Sequence, residues 1–358
     1  MKSLRVFDKE INLLCEIDGY DEFKVIRRFF GLSEFELRIN IANKNIDKLE
    51  ENNLIVIGKY YNKVGIILHK EADKEKDTGN FIIKGYTLEG LLSRRLIIPD
   101  VNKDFESCKG KQETIIKHFI DRNCINPSNA KRIIPRLIIA TDKLRGNEDG
   151  WRSSYDNLCD KVKEISEFSE LGWSVVLDKD TKNYVFDVIE GRDLTTSQRI
   201  NPPVTFKKSF NNIANSKYIE SIINSKNVVY AGTSEDATKL VLSAGDVEGF
   251  ERMESFISVN SDDSLEIKHE ADIELKELEK LKSFEIDVNP TKSFIYEKDY
   301  DLGDIVTVQD KKLKITMDAR IVEIEEIHTK LGMSLKITFG TNIPNILTKI
   351  KKIEKKVR

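Results

Sequence analysis

Apolar and polar residues alternate in short runs over the first hundred positions, and the same pattern returns after position 290. Ile11–Ile17 leads into the turn Asp18-Gly19-Tyr20-Asp21, which predicts a hairpin. Val25–Phe30, Phe35–Ile39, Leu54–Ile57, Val64–His69 and Phe81–Tyr86 continue as further strands, and Thr87–Arg95 reads as a short helical close. Several short strands with turns between them fit a small barrel or sandwich over residues 1–98. A second meander is predicted over 286–340. Leu302-Gly303-Asp304 forms a tight bend feeding Ile305–Val308, and the Asp310-Lys311-Lys312 turn and Gly332 punctuate the later strands.

The period changes between these halves. Gln112–Arg122 and Asp156–Leu171 place apolar residues on one helical stripe, and Gly172 is positioned to stop the second helix as a C-cap. Trp173–Leu177 and Tyr184–Ile189 flank a polar turn. Val204–Phe206, Asn227–Ala231 and Leu240–Leu242 are further strands. Residues 99–260 therefore read as an α+β region. A connecting helix is expected over Ser264–Lys282 within 261–285, capped by Asp262, Asp263 or Ser264. Helices and antiparallel pairs without a βαβ rhythm make the whole chain α+β and β-rich.

The last stretch, 341–358, predicts a C-terminal helix with Asn342 as cap and Pro344 in its first turn. Ile343, Ile346, Ile350, Ile353 and Val357 recur at alternating three- and four-residue steps, an a/d seam. Isoleucine at both positions shifts coiled coils from dimers toward trimers or tetramers. So short a helix is marginal alone, and an amphipathic helix packing on its own chain fits the same pattern.

Composition narrows the classes. The chain has 358 residues, 39% of them hydrophobic and 33% charged, and a net charge of -3, which leaves no global signature of nucleic-acid recognition. No apolar run is long enough to cross a bilayer, and Met1-Lys2-Ser3-Leu4-Arg5 lacks the apolar core of a signal peptide. Cys15, Cys108, Cys124 and Cys159 are scattered without a CxxC pair and are expected as reduced thiols in a chain made in the cytoplasm.

Signals for chemistry are sparse. His69, His118, His269 and His328 occur singly, with no metal-ligand spacing, and no GxSxG, phosphate loop or dinucleotide fingerprint occurs. The expectation is no catalytic site, metal or cofactor. The carboxylates of Glu323, Glu325 and Glu326 could suggest glycosidic chemistry, but Glu323 and Glu325 share one face of a strand, which reads as solvated. Lys349, Lys351, Lys352, Lys355, Lys356 and Arg358 suit the outer positions of a coiled coil better than DNA. Trp151 and Trp173 read as core residues rather than a sugar platform.

The order of certain segments resembles a family of siphovirus tail proteins related to phage and prophage baseplate hubs. Gly85, Leu88, Leu92 and Arg95 match the close of that family's first domain, with a departure at Thr87, where an acidic or polar residue is usual. Gly191 and Asp193, with Leu171-Gly172-Trp173 and Lys226–Tyr230, are similar to its middle region. Arg252 and Glu254 match a G-x-x-R-x-E element, and Leu302, Gly303 and Asp304 its closing barrel. The resemblance implies two tube-forming small β-barrel domains, N- and C-terminal, with the α+β region inserted. It implies a non-enzymatic baseplate or tail-tip hub subunit, a homotrimer whose ring continues the tail tube in a virion or tailocin particle assembled in the host cytoplasm. Implied partners are the tail tube or distal tail protein and spike, fibre, hydrolase or tape-measure components. A cell-wall hydrolase or carbohydrate-binding tail protein, working through the middle region, is the competing class.

Overall fold

Seven strands open the chain: β1 (Leu4–Phe7), β2 (Leu13–Ile17), β3 (Glu22–Arg28), β4 (Glu34–Asn40), β5 (Leu54–Ile57), β6 (Gly65–Glu75) and β7 (Thr78–Thr87). The computed structural model describes residues 2–75, 78–232, 240–259, 261, 263–288 and 293–340. The hairpin strand expected from Ile11 begins only at Leu13. Asp8 accepts from the backbone N–H of Glu10 at 3.0 Å and of Asn12 at 2.8 Å, and the loop it closes holds Ile11 at φ 65°.

The chain divides into two compact units. Of the described residues, the first unit comprises those within 1–215 and 286–338, and the second those within 216–285 together with Phe339 and Gly340. In the first unit, β3-β4-β7-β6-β5-β1-β2 lie side by side in that order, all antiparallel. Leu4, Val6, Ile17, Phe23, Val25, Leu37, Ile39, Ile55, Ile57, Ile67 and Ile83, drawn from all seven strands, form one buried cluster. Alternation puts these side chains on one face, where they pack together.

The middle of the chain adds β8 (Glu106–Lys111), β9 (Leu137–Ile139), β10 (Glu148–Ser153), β11 (Gly172–Asp178) and β12 (Asn183–Ile189). β8 pairs with β10, and β11-β12-β9 form a separate three-stranded sheet. α1 (Gln112–Ile120) buries Ile115, Ile116, Phe119 and Ile120. α2 (Leu158–Ser169) starts at Asn157, whose side chain accepts from the N–H groups of Cys159 and Asp160. The expected stop differs in detail: Glu170 takes the left-handed position at φ 59°, and Gly172 already belongs to β11. Gly172 is required for another reason, since a Cβ there would lie 2.3 Å from the Phe29 ring. Trp151 and Trp173 are 4% and 1% exposed, which settles them as core residues.

Chain order continues through β13 (Asp193–Leu194), β14 (Thr205–Lys207) and β15 (Ile213–Ser221), the last of which runs into the second unit. There β16 (Val228–Gly232), β17 (Leu240–Ser243) and β18 (Glu254–Ser258) form a sheet ordered β17-β16-β18, with β16 and β18 parallel. α3 (Ser264–Glu277) covers one face through Ile267 and Ala271, packed with Val229, Ala231 and Val259. Asp263 caps it, accepting from Leu265 N–H at 2.9 Å. The helix expected to Lys282 ends at Glu277, and β19 (Leu281–Val288) begins in its place. Leu281 extended the helical spacing, but Phe284, Ile286 and Val288 bury with period two.

β20 (Ile305–Asp310), β21 (Ile315–Thr329) and β22 (Gly332–Gly340) are the last described strands and return to the first unit's sheet. β21 pairs antiparallel with β3, from Glu323 opposite Arg28 to Thr329 opposite Glu22. β20 pairs with β21 on one side and, in parallel, with β13 and β14 on the other. The first and last described strands thus belong to one sheet, and among the described residues its strand order is a branched path rather than a closed ring.

Candidate functional site

The segment joining β19 to β20 concentrates polar side chains that the strands on either side bury. Ile295 N–H donates to Asp299 Oδ2 at 2.7 Å and Glu297 N–H to Tyr300 O at 2.9 Å, closing a turn in which Glu297 sits at φ 65°. Gly303 follows at φ 92°, and a Cβ there would lie 2.2 Å from the Phe29 ring, so position and conformation both demand glycine. Gly303 N–H donates to Ile321 O and Ile321 N–H to Asp304 O, each at 2.8 Å, which turns the bend into the start of β20.

Here two motifs distant in sequence meet. Asp304, 3% exposed, accepts from Arg192 N–H at 2.8 Å and Arg192 Nη2 at 2.6 Å, and from Asp301 N–H at 2.8 Å. The hydrogen bond to Asp304 raises the pKa of the Arg192 guanidinium. A Cβ on Gly191 would lie 1.8 Å from Gly303 O, so the two chain segments touch backbone to backbone. Asp193 stands beside Ile305 in the parallel pairing and accepts from Thr195 N–H at 2.9 Å. Leu302 is half-buried beside them.

The motif at the end of β7 is packed in a similar way. A Cβ on Gly85 would lie 1.8 Å from Ile66 O in the adjacent strand, and Leu88 and Leu92 are fully buried. Arg95 Nε donates to Arg132 O at 2.7 Å. Thr87, the departure from the family pattern, is buried; its hydroxyl donates to the Glu89 carboxylate and lies 3.3 Å from Ser33 O. Burial pushes the Glu89 carboxyl upward against that bond and one from Val175 N–H. In the second unit Arg252 and Glu254 pair at 2.5 Å, and Tyr230 OH lies within 3.0 Å of both. The seam residues Ile343, Ile346, Ile350, Ile353 and Val357 lie outside the described residues.

The densest cluster lies where β21 meets β3. Glu326, 1% exposed, receives Lys63 Nζ at 2.6 Å and Tyr296 OH at 2.7 Å, and Lys63 also reaches Glu297 at 2.8 Å. Arg27 Nη1 donates to Tyr296 OH at 2.7 Å and Asp301 Oδ1 at 2.8 Å, while His328 Nε2 lies 3.4 Å from Glu326. Burial alone would raise the Glu326 carboxyl. His328, Lys63 and Arg27 overcome it and hold the pKa down to about 2. Burial pushes the Tyr296 phenol well above its usual value. Lys63 Nζ also stands 5.0 Å from the Tyr296 ring centroid, a cation–π contact that adds to the hold on this cation.

Sequence reasoning placed Glu323 and Glu325 on the strand's polar face and left Glu326 unassigned. The signal was available: Val322, Ile324, Glu326 and His328 alternate onto one face, and all four are buried. Glu323, on the other face, accepts from Arg28 Nε at 2.8 Å. A second buried network sits on α1, where Glu113, 0% exposed, pairs with Lys117 at 2.7 Å and Arg145 at 2.8 Å. Burial opposes ionisation of Glu113, but Arg145 and Lys117 hold its carboxyl far below the usual range. These clusters tie strands and loops together. The carboxylates of Glu113, Glu323 and Glu326 already accept from cations.

His118 Nε2 lies 2.7 Å from Glu106, and His69 is exposed beside Glu71 at 3.5 Å. Among the described residues no three His, Cys, Asp or Glu side chains gather to hold a metal, and no helix is long and apolar enough to cross a membrane.

No curated protein matches the sequence. Among solved structures, the fold is similar to the prophage MuSo2 43 kDa tail protein from Shewanella oneidensis, with 10% identity, TM-score 0.59, and 95% of this chain covering 96% of that one. It is similar to a tail protein from Neisseria meningitidis, with 14% identity, TM-score 0.58 and the same coverages. It is similar to prophage tail protein gp18 from Listeria monocytogenes, with 13% identity, TM-score 0.59, and 99% of this chain covering 98% of that one. At such identities the likeness establishes the fold alone, a β-rich α+β architecture shared with these tail proteins. Residues 3–341 match the family described as Siphovirus ReqiPepy6 Gp37-like protein, and the chain belongs to that family.

Proposed function

We propose that the protein is a structural hub subunit of a phage-tail or tailocin tip, three copies of which close a ring that continues the tail tube. The observation that carries this reading is the pairing of β21 with β3, which makes the first and last segments of the chain one wall. Residues 1–98 and 286–340 supply its two tube-like barrel domains, and residues 99–260 are the α+β part that meets other components. The single buried core shared by β1–β7 is what supports the barrel character of the first domain. Ring closure would pair strand edges across subunits instead of leaving them open to solvent. The repeat of Ile343, Ile346, Ile350, Ile353 and Val357 favours a coiled coil of three or four helices in the segment 341–358, of which the ring takes three, with 261–285 as the connection before the closing strands. Partners in this reading are the tail tube or distal tail protein and spike, fibre, hydrolase or tape-measure components of the particle.

Light scattering with the full chain and with a chain ending at 341 tests it. The expected mass is three times the 41.2 kDa of one chain, falling on truncation. A full chain that stays monomeric at high concentration would sink the ring. Reproducible cleavage of purified cell walls would replace the structural reading by the hydrolase class.

A further inference from the structure

A groove of about 560 Å³ opens in the first unit where the seven-stranded sheet meets the middle α+β region. Its size falls within the roughly 300–1,000 Å³ of ligand sites. The floor is apolar: Leu54 and Ile66, register partners on β5 and β6, lie beside Leu88 and Leu91 of the short helix after β7. Ile134 and Tyr184 close its far wall. Tyr184 is 6% exposed, and burial raises its phenol pKa.

The rim has the opposite sign to the molecule. The chain carries a net charge of -3, yet Lys9, Arg94 and Arg136 edge the groove against the single carboxylate of Glu10. None of the three cations has an ion-pair partner among the described residues. Arg94 donates only to the neutral amide of Asn52, at 2.9 Å. Elsewhere in this unit cations beside carboxylates pair with them, as Arg28 does with Glu34 and Glu323 and Arg145 with Glu113. β5 is paired on both sides, by β1 and β6, so an occupant here is held by side chains rather than by adding a strand.

We propose that this groove docks an acidic segment of a partner protein, with an apolar side chain against Leu54, Leu91 and Tyr184 and flanking carboxylates between Lys9, Arg94 and Arg136. Opposite charge at the rim sets orientation and partner choice, and the floor supplies the desolvated contact. The proposal rests on the tail-tip reading in that the partner is another component of the same particle.

The probe is a fluorescein-labelled peptide pool that alternates acidic with leucine or phenylalanine residues. It is compared by polarisation with a basic–apolar pool, an acidic–serine pool and oligothymidylate. The full chain should hold the acidic–apolar pool about tenfold more tightly than the other three. The exposed-rim variant R94E/R136E should lose about tenfold in affinity, and Leu91→Ser should weaken binding with no change in charge. Circular dichroism and light scattering on the same samples confirm that each variant folds and assembles as the parent does. Equal binding of the basic–apolar or acidic–serine pool, equal binding of oligothymidylate, or full affinity in R94E/R136E overturns the groove. A trimer that ignores the acidic–apolar pool refutes this proposal alone, and a monomer that binds it through the groove refutes only the ring.

Discussion

Replacing Lys63 by methionine removes the cation that contacts Glu326 at 2.6 Å and leaves a carboxylate 1% exposed without it. Relative to the usual carboxylate value of 4.5, a pKa held to about 2 corresponds to about 3 kcal/mol of folded-state stabilisation at neutral pH, shared among His328, Lys63 and Arg27. Breaking a buried ion pair by deleting one partner costs roughly 3–5 kcal/mol, because the stranded charge keeps its desolvation penalty. K63M should therefore cost about 3 kcal/mol, whereas K63M/E326M, which removes both charges, should recover most of that loss. Trp151 and Trp173 both lie in the first unit, so tryptophan fluorescence during urea unfolding follows the unit that holds the cluster. The pH dependence has a definite sign. A depressed carboxylate contributes stability that is present above its unfolded pKa and lost as pH falls through the folded one. The parent protein should thus lose this contribution between about pH 4.5 and 2, and K63M should begin its decline at higher pH. A K63M cost below about 1 kcal/mol, or a double variant no more stable than K63M, would refute the clamp.

Gly303→Ala places a Cβ 2.2 Å from the Phe29 ring at φ 92°, and a loss of about 2–4 kcal/mol is expected in the same fluorescence assay. Asp304→Ala strands Arg192 and the Asp301 N–H around a site 3% exposed. It should cost about 2–3 kcal/mol and free the 295–304 turn, read as faster amide exchange at Ile305, whose N–H donates to Arg192 O at 2.8 Å.

Much of the fold was legible from local pattern. Phe35–Ile39 alternates and is a strand, and the stripe of Leu158, Val162 and Ile165 is the buried face of α2. The misreadings share a cause. The helix extended to Lys282 failed because Leu281 satisfied helical spacing, while the period-two burial of Phe284, Ile286 and Val288 came from neighbouring strands. Gly172 was read as a helix stop when the Phe29 ring is what excludes a side chain there. Glu326 was overlooked since a carboxylate is ordinarily assigned to water, although its place in the alternation put it inside.

The amino-acid sequence alone determined the type of most elements, a cap within Asp262–Ser264 for α3, the bend at Gly303 and the absence of a metal or nucleophile motif. Each of these depends on residues within a few positions of one another, where backbone sterics and side-chain period decide the outcome. Only the tertiary structure decided that Glu323 would stand opposite Arg28 across 295 positions, that Asp304 would hold Arg192, and that Lys63 would meet Glu326. Those pairings depend on which strands share a sheet. Loop closure over such lengths adds only slowly to the entropic cost, so long-range register is chosen by complementary faces and charges that no local window contains.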